Sequence, residues 1–523
     1  MTTLTRPARL PYHRETDGGM LRRLLWIGGL LGTVIPAPAL AQATIGGDWR
    51  SDVDRFALRL VEAGLTPGMG IAVTRGDSVV HVGGFGVADA GSGRAVDEET
   101  LFYIASSTKA LTATAVVLRA HRGELELDAP VTRYLPELRL RAPLDADSVT
   151  IRDLLTMTHG IADGGPVVFR TAYTGDFTGG LLVDLMAGYG PSESGGAFAY
   201  GNLGYNILGW VLDPADPHGW KNVVEREVLD PLGMEATSAR LSGLDPDRLA
   251  MPHEIDPGAT FRRIPLAKSD ETLHAAGGHF ATPRDLARFV AAHASEGVLE
   301  GQRVFPRDAI ESTHERHVEQ DRTFGPFHRF GWGFGWDLGT YEGRTVVHRF
   351  GSFSGYRSHM SFMPEPGIGV VVLVNGGGPA SPAADLMATY VYDRLLEKPG
   401  LEEEYAARFA ELQAQFASGV ERLAKQLAER AARSAPLSHP WEAFAGAYEN
   451  PKLGRMEWRV SDEGLEVQVG VARSRTEIFD PAEDKLRIEI TGGGEVVDFE
   501  FTADAGAASS VEYRGERFVR VES

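Results

Sequence analysis

The hydrophobic pattern of the chain changes character along its length. Short apolar runs at residues 70–73 and 78–82, separated by a Gly-Asp turn, predict two β-strands near the beginning. Between these runs and about residue 320 the periodicity is mostly that of helices and loops, and strand-like runs return at 359–363 and 368–375. Strands at both ends with helices between them predict one antiparallel sheet that holds a helical insertion, which is an α+β fold.

Two segments with different patterns follow. Residues 401–433 carry apolar side chains at spacings of three and four among many charges, which predicts an amphipathic helix whose apolar stripe serves packing. From residue 441 onward, short alternating runs separated by turns predict a small antiparallel barrel or sandwich. The expected organisation is a leader over 1–41, a main domain over 42–398, a helical linker over 399–436 and a β-domain over 437–523.

The first residues have the pattern of an export signal. Arg22 and Arg23 precede an apolar run of 12 residues, 24–35, and Ala39-Leu40-Ala41 supplies the small residues of a cleavage site. The run is too short to span a bilayer, so a membrane anchor is the poorer interpretation. We therefore expect cleavage after Ala41 and a periplasmic or secreted protein, with Met20 as an alternative start.

Composition narrows the class of partners. The 523-residue chain has no cysteine, which excludes disulfides, a thiol nucleophile and a lipid-modified cysteine. Its formal net charge is −20, and without the leader, which holds five basic and two acidic groups, it becomes 47 − 70 = −23. Such acidity disfavours nucleic acid and anionic membranes, and no later apolar run is long enough to cross a bilayer. The 15 histidines form no ligand pattern, so we expect no metal and no other cofactor.

The strongest chemical candidate is Ser106-x-x-Lys109, at the beginning of a helix predicted to run to about His121. Residues three apart share one face of a helix, so the Lys109 amine can reach the Ser106 hydroxyl, which needs a base to become nucleophilic. The helix N-terminus offers backbone N–H groups for an oxyanion and disfavours a protonated lysine. Because serine is also a common N-cap, the motif alone leaves a capping role open.

Two further segments carry side chains suited to the same chemistry. Tyr200-Gly201-Asn202 precedes a predicted helix; its phenol could move protons, and its carboxamide could bind a substrate carbonyl and an ammonium. In residues 348–356, polar groups and glycines lie at the edge of a late strand, where glycine would let a ligand approach the backbone closely. Taken one at a time, both segments are also compatible with ordinary structural turns.

In this order, Ser106-x-x-Lys109, Tyr200-x-Asn202 and a basic-x-Gly element ending at Gly351 resemble the motifs of the penicillin-recognising serine hydrolases. These include class C β-lactamases, penicillin-binding D-Ala-D-Ala carboxypeptidases and related esterases. The similarity extends over roughly residues 60–398, and the tail from about residue 437 resembles a small β-domain appended to some members. Further landmarks occur in order: Thr66-Pro67-Gly68, Gly84-Phe85-Gly86, Leu101-Phe102-Tyr103, Leu154-Leu155-Thr156, Pro231-Leu232-Gly233-Met234, Gly277-Gly278 and residues 369–375.

The resemblance implies a role for each motif. Ser106 would be the acylated nucleophile, and Lys109 and Tyr200 would share the proton transfers. Asn202 would orient the substrate amide. The oxyanion hole would consist of the backbone N–H groups of Ser106 and of Ser352, which follows the strand glycine.

The sequence departs from the family pattern at two places. The family usually has His or Lys two residues before the strand glycine, where this chain has Arg349; His348 stands one position early and would face the other way on a regular strand. Arginine stays protonated and can hold a carboxylate, so we hypothesise that Arg349 binds an anionic group of the substrate. His348 is the second candidate for this substrate-binding position. The other departure is Thr158-His159-Gly160, where the family commonly has serine before the glycine.

The sequence therefore predicts an exported serine hydrolase that forms an acyl-enzyme on Ser106, of the esterase or D-amino-acid peptidase or carboxypeptidase type. Its partner would be a small-molecule or peptide substrate with an ester, amide or lactam bond. A β-lactamase is the alternative within this class, and a non-catalytic penicillin-binding-like regulatory protein is the alternative outside it. An α/β-hydrolase is disfavoured because the sequence has no Gly-x-Ser-x-Gly. The oligomeric state is left open.

Overall fold

The computed structural model describes residues 48–433, 436–462, 464–491, 494–502 and 506–522. The predicted leader over 1–41, its cleavage after Ala41 and the choice of start lie outside the described residues, as do parts of the turns predicted at 462–464 and 492–494. Within the described ranges, no helix combines the length and the apolarity that crossing a bilayer requires.

One large antiparallel sheet lies at the centre of the main domain. The described strands before residue 380 are β1 (Gly68–Arg75), β2 (Ser78–Asp89), β3 (Arg94–Ala95), β4 (Phe102–Tyr103), β5 (His253–Ile255), β6 (Phe261–Arg263), β7 (Phe280–Ala281), β8 (Val298–Leu299), β9 (Gln302–Arg303), β10 (Val318–Phe324), β11 (Phe327–Trp332), β12 (Asp337–Tyr341), β13 (Arg344–Phe353), β14 (Tyr356–Met363) and β15 (Ile368–Val374). The sheet has the order β10-β11-β12-β13-β14-β15-β1-β2-β3. Because β1 pairs with β15, strands from both ends of the domain meet within it, which confirms the predicted α+β fold.

Helices cover both faces of this sheet. In the described ranges they are α1 (Trp49–Glu62), α2 (Thr108–His121), α3 (Ile151–Thr156), α4 (Pro166–Phe169), α5 (Gly179–Met186), α6 (Leu203–Leu212), α7 (Trp220–Val224), α8 (Asp230–Leu232), α9 (Pro283–Ala294), α10 (Arg307–His314), α11 (Pro382–Leu395) and α12 (Leu401–Ala431). Helix α9 packs on β1, β14 and β15, whereas α1 and α11 pack on each other and on the other face. The alternation along β14 follows from this: Met360 and Phe362 join the core of the insertion, while His359 and Ser361 bond to side chains of α11.

The C-terminal strands form a second sheet that is nearly closed into a barrel. After α13 (Trp441–Phe444) the described strands are β16 (Gly446–Asn450), β17 (Gly454–Ser461), β18 (Gly464–Val469), β19 (Ala472–Arg475), β20 (Glu477–Asp480), β21 (Lys485–Ile488), β22 (Glu495–Phe501), β23 (Ala508–Tyr513) and β24 (Glu516–Val521). Their order is β19-β18-β17-β16-β24-β23-β22-β21-β20. Alternate side chains, among them Trp458, Val467 and Phe499, form a separate core, which confirms the predicted small antiparallel β-domain.

The helix α12 occupies most of the interval predicted as a linker. Its apolar stripe is buried, as the spacing predicts: Tyr405 and Phe409 pack edge-on against the ring of Phe56 in α1, at centroid distances of 5.6 and 6.4 Å. The domain boundaries at 398 and 436 stay predictions.

The β-domain contacts the main domain at a π-helical turn, Arg170–Thr174, that follows α4. The backbone N–H of Val471 donates to the Thr174 carbonyl at 2.9 Å, and the Arg170 Nε donates to the Lys452 carbonyl at 2.6 Å.

Candidate active site

Ser106 lies in a tight turn between β4 and α2. The turn, Ala105–Ser107, is a single 3₁₀ turn, and Ala105 has a φ of 46°, a left-handed conformation that is costly for a residue with a Cβ. Hydrogen bonds fix the turn from outside: the Ser107 and Ser358 hydroxyls are 2.8 Å apart, and Ser358 also donates to the Ile104 carbonyl at 2.8 Å. Ser106, the residue in between, keeps a half-buried side chain at the surface of the cleft.

Lys109 lies one turn further along, fully buried, and its ammonium has three acceptors. They are the Ser106 Oγ at 3.1 Å, the Asn202 Oδ1 at 2.7 Å and the Ala276 carbonyl at 2.8 Å. Burial lowers the pKa of Lys109 to about 8; the nearby Tyr200 opposes this decrease, and the Arg349 charge adds to it. The predicted contact between Lys109 and Ser106 is therefore present. The pKa of about 8 lets the Lys109 amine both hold and release a proton close to neutral pH.

Tyr200 approaches the same oxygen from the loop before α6. The residue is 42% exposed, but its hydroxyl points into the cluster and accepts a hydrogen bond from the Arg349 Nη2. Burial alone would raise the pKa of the phenol. The positive charges of Arg349 and Lys109, with hydrogen bonding to Ser106 and Lys109, outweigh burial and lower the pKa of Tyr200. A phenol in this position is a candidate general base.

The loop that carries Tyr200 and Asn202 is held by Asp163, which the sequence did not single out. The Asp163 carboxylate accepts the backbone N–H groups of Asn202 at 2.8 Å and Leu203 at 3.0 Å, at the N-terminus of α6 where negative charge is favoured. A Cβ at Gly201 would collide with that carboxylate, so glycine is required between the two polar residues. No local sequence signal marks Asp163, because it lies 39 residues before Asn202.

Arg349 lies at the site, but its guanidinium already donates hydrogen bonds to other groups of the protein. Its Nε donates to the Ser106 carbonyl at 3.1 Å, its Nη1 donates to the buried Asp337 at 3.1 Å, and its Nη2 donates to Tyr200. The guanidinium also lies over the Trp332 ring at 5.2 Å. The structure thus pairs Arg349 with a carboxylate of the chain itself, and the hypothesis that it binds an anionic group of the substrate stays a prediction.

His348 is not brought to the site. It is fully buried on the opposite face of β13, where its ring lies 5.0 Å from that of Phe327 and 4.6 Å from that of Phe350. The physical reason is the period of two along a strand, which places neighbours such as His348 and Arg349 on opposite faces. Its assignment to the substrate-binding group therefore finds no support in the geometry.

Gly351 and Ser352 continue β13 past Arg349. A Cβ at Gly351 would collide with the Ile104 carbonyl, so the glycine lets this strand approach the turn that carries Ser106. Ser352 pairs with Arg357 of β14 and has an exposed side chain. The oxyanion role of its backbone N–H stays a prediction.

His159 is the remaining residue in question. It is 9% exposed, and its Nδ1 accepts the backbone N–H of Ile161 at 3.1 Å. Burial lowers the pKa of this ring, which packs under α6, where a Cβ built at Gly204 would meet it at 3.0 Å. In the ranges that the structure describes, no group of three or more His, Asp or Glu side chains is arranged to hold a metal ion.

Comparison with known proteins identifies the family of this chain. The family described as Beta-lactamase matches residues 53–393. Penicillin-binding protein 4 of Amycolatopsis lactamdurans is 30% identical over 327 residues, which are 61% of this chain and 84% of that protein. Esterase EstB of Burkholderia gladioli is 33% identical over 228 residues, 40% of this chain and 57% of that one.

A solved structure extends the likeness beyond the main domain. The octameric penicillin-binding protein homologue from Pyrococcus abyssi superposes with a TM-score of 0.56 at 21% identity, covering 90% of this chain and 99% of that one. At this identity the match supports the fold, including the appended β-domain. With the matched family spanning most of the main domain, the chain belongs to the β-lactamase family and is a serine hydrolase.

Proposed function

We propose that this protein is an exported serine hydrolase that forms an acyl-enzyme on Ser106, of the esterase or D-amino-acid peptidase type. The observation that carries the proposal is the cluster around Ser106 Oγ: an ammonium at 3.1 Å whose pKa is lowered to about 8, beside a phenol whose pKa is also lowered. Such a pair places a proton acceptor and a proton donor beside the Ser106 hydroxyl.

In the proposed reaction, the Ser106 Oγ attacks the carbonyl carbon of an ester or amide, and its proton passes to the Tyr200 oxygen. Before this transfer the Lys109 ammonium stabilises the phenolate; it then donates a proton to the leaving oxygen or nitrogen as the carbonyl bond to that atom breaks, and regains one from the Tyr200 phenol. Water then attacks the acyl-enzyme and gives one proton to the Tyr200 phenolate. The bond from the Ser106 oxygen to the acyl carbon breaks, Ser106 takes a proton back from the same cluster, and a carboxylic acid is released. Asn202 accepts a hydrogen bond from Lys109, and its side-chain NH₂ group, which has no hydrogen-bond partner among the described residues, can meet the acyl side chain.

The names of two relatives bear on the substrate class. One relative is named an esterase and another a penicillin-binding protein, so ester, D-peptide and lactam substrates all belong in the same test. Export rests on the leader pattern alone, and N-terminal sequencing of the mature protein should begin at Gln42.

A fluorophosphonate probe tests the nucleophile, and a hydrolysis panel tests the substrate. We expect the probe to label Ser106 and to leave the Ser106→Ala variant unlabelled. The panel consists of p-nitrophenyl esters, nitrocefin and D-amino-acid p-nitroanilides; fastest turnover of nitrocefin would favour the β-lactamase alternative. A folded protein that takes no label would favour the non-catalytic alternative.

A further inference from the structure

Lys268, between β6 and β7, is a buried cation in an aromatic setting. It is 7% exposed, and its ammonium lies 4.1 Å from the centroid of Phe353, 5.4 Å from that of Tyr173 and 5.5 Å from that of Tyr103. We call these three rings with Lys268 the aromatic cage. Phe353 and Tyr173 are half-buried, so part of each of these two residues reaches solvent.

The charge of Lys268 has no carboxylate partner. Its one hydrogen bond runs to the Ala172 carbonyl at 2.6 Å, and none of the ion pairs in the described part of the chain includes it. Burial lowers its pKa to about 7, and no acidic group counteracts that decrease. Lys398 shows the usual solution, since its ammonium meets Glu342, Asp393 and Glu404. Burying an ammonium without a counterion costs free energy, and an anion bound beside Lys268 would offset that cost.

The cage lies beside the nucleophile. Phe353 is on the same face of β13 as Arg349 and Gly351, two residues beyond the glycine, which is about 7 Å along a strand. Tyr103 comes three residues before Ser106 and donates a hydrogen bond to the Gly277 carbonyl.

Electrostatics link the cage to the catalytic lysine through His274. The positive charges of Lys268 and Lys109 both contribute to holding the pKa of His274 far below its usual value, after burial, which is the larger cause. Both ammonium groups therefore act on one imidazole, two residues before the Ala276 carbonyl that binds Lys109.

We propose that Lys268 and the aromatic cage form a subsite that binds a carboxylate of the substrate. This rests on the proposed function, because the ligand is the substrate that Ser106 acylates. A carboxylate entering from the solvent side would accept the two N–H groups of Lys268 that Ala172 leaves free, while the rings of Phe353 and Tyr173 cover the chain that carries it. Arg349, the candidate named from the sequence, instead shares the Asp337 carboxylate with Arg329 and donates its other N–H groups to the Ser106 carbonyl and the Tyr200 hydroxyl.

The subsite implies that the affinity for carboxylate-bearing substrates depends on pH through Lys268, whereas the affinity for neutral substrates does not. The titratable groups that face Lys268 are the phenols of Tyr103 and Tyr173 and the imidazole of His274, which burial keeps neutral. Lys268 is charged below about pH 7 and neutral above it, so affinity for a carboxylate should fall as the pH rises through 7. Bound carboxylate should in turn raise the pKa of Lys268.

Matched esters test the specificity. The probes are p-nitrophenyl succinate, which has a free carboxylate, and its methyl ester, which has none. In Lys268→Met we expect KM for the charged ester to rise by about tenfold, one charge-assisted pair being lost, with the methyl ester unchanged. Lys268→Arg, which keeps the charge, should restore part of the preference. Equal losses for both esters, or no loss for either, would overturn the proposal.

Lys221→Met is the matched control. Lys221 is another buried lysine with a pKa lowered to about 8 by burial, but its ammonium donates to the Asp270 carbonyl and lies close to the Asp270 charge. Its removal should cost stability without changing the ratio between the two esters.

A binding measurement separates this inference from the proposed function. With only seven lysines in the chain, a ¹³Cε-lysine NMR spectrum of Ser106→Ala can be assigned by variants. Monomethyl succinate should shift the Lys268 signal and raise its pKa, and dimethyl succinate should do neither. A response without fluorophosphonate labelling of the unaltered protein would leave the subsite standing and reject the acyl-enzyme; labelling without a response would do the opposite.

Discussion

Ser106 and Ser361 both lie within hydrogen-bond distance of a basic side chain, in regions on opposite faces of the main sheet. Ser361 has the more familiar arrangement: its Oγ is 2.8 Å from the His359 Nε2, and the His359 Nδ1 is 2.8 Å from the Asp385 Oδ1. This is the order of partners of a Ser-His-Asp triad. Ser106 has only the Lys109 ammonium and the Tyr200 phenol as neighbours in the same roles.

The two regions differ in the access of solvent and substrate to the serine. Ser361 and His359 are both fully buried between β14 and α11, and Ser361 is also bonded to the Tyr392 hydroxyl at 2.7 Å. No carbonyl carbon could approach that oxygen, and the polar groups around it satisfy one another. Ser106 instead lies on a strained turn at the surface of the cleft. A hydrogen-bonded serine and base therefore do not suffice for catalysis; the nucleophile must also be exposed to a substrate.

The largest expected effect on activity comes from Ser106→Ala, and Ser361→Ala is the variant to compare with it. Ser106→Ala removes the oxygen that is acylated, so ester hydrolysis should fall by about 10³-fold or more without loss of stability. Ser361→Ala should keep its activity while losing about 1–3 kcal/mol in free energy of unfolding, because His359 and Tyr392 lose a buried partner. Kinetics and urea unfolding measure the two quantities; comparable activity losses in both variants would contradict the assignment.

Lys109→Arg should have the next largest effect. The guanidinium keeps the charge but cannot return a proton, so kcat should fall by about 10²-fold. In the unaltered protein the rate should decline above about pH 8 as Lys109 loses its proton, and in the variant this decline should move to higher pH. The pH profile of kcat shows whether Lys109 acts as proton donor or as general base. A rate that rises through pH 8 in the unaltered protein would make the Lys109 amine the base.

Arg349→Met tests whether this arginine serves Tyr200 or the substrate. Its charge lowers the pKa of the phenol, so its removal should raise that pKa and move the acidic limb of the pH profile upward. At neutral pH we expect a loss of about tenfold that is equal for charged and neutral esters. A loss confined to carboxylate-bearing esters would support the hypothesis drawn from the sequence instead.

The smallest effect on activity is expected from His348→Phe. His348 precedes Arg349 in β13 and lies on the opposite, buried face of that strand. In the described structure both ring nitrogens of His348 are buried without a hydrogen-bond partner. Replacing them with carbon should leave activity unchanged and raise the free energy of unfolding by about 1 kcal/mol. Thermal unfolding with parallel kinetics provides the measurement, and a clear loss of activity would place His348 in the site after all.

Part of this site follows from local rules that the sequence already contains. The spacing of Ser106 and Lys109 puts both on one side of a helix, and the period of two along β13 separates His348 from Arg349. The alternation of strand-like and helical runs likewise predicts the sheet formed from both ends and the C-terminal β-domain. Tyr200 and Asn202 stand out only for the chemistry of their side chains, which is equally compatible with a turn, and the family resemblance implies their roles.

The tertiary structure decided which groups meet across long distances in the chain. Lys109 and Asn202 are 93 residues apart, and neither Asp163 nor Asp337 has a local pattern that marks it as a partner of the site. The tertiary structure also decided burial: it closes off Ser361, and it encloses Lys268 among aromatic rings with no carboxylate partner in the described part of the chain. The sequence determines what each residue can do chemically and which face of its own helix or strand it occupies. Folding determines its solvent access and its distant partners, because dielectric environment and long-range contacts depend on the packing of the whole chain.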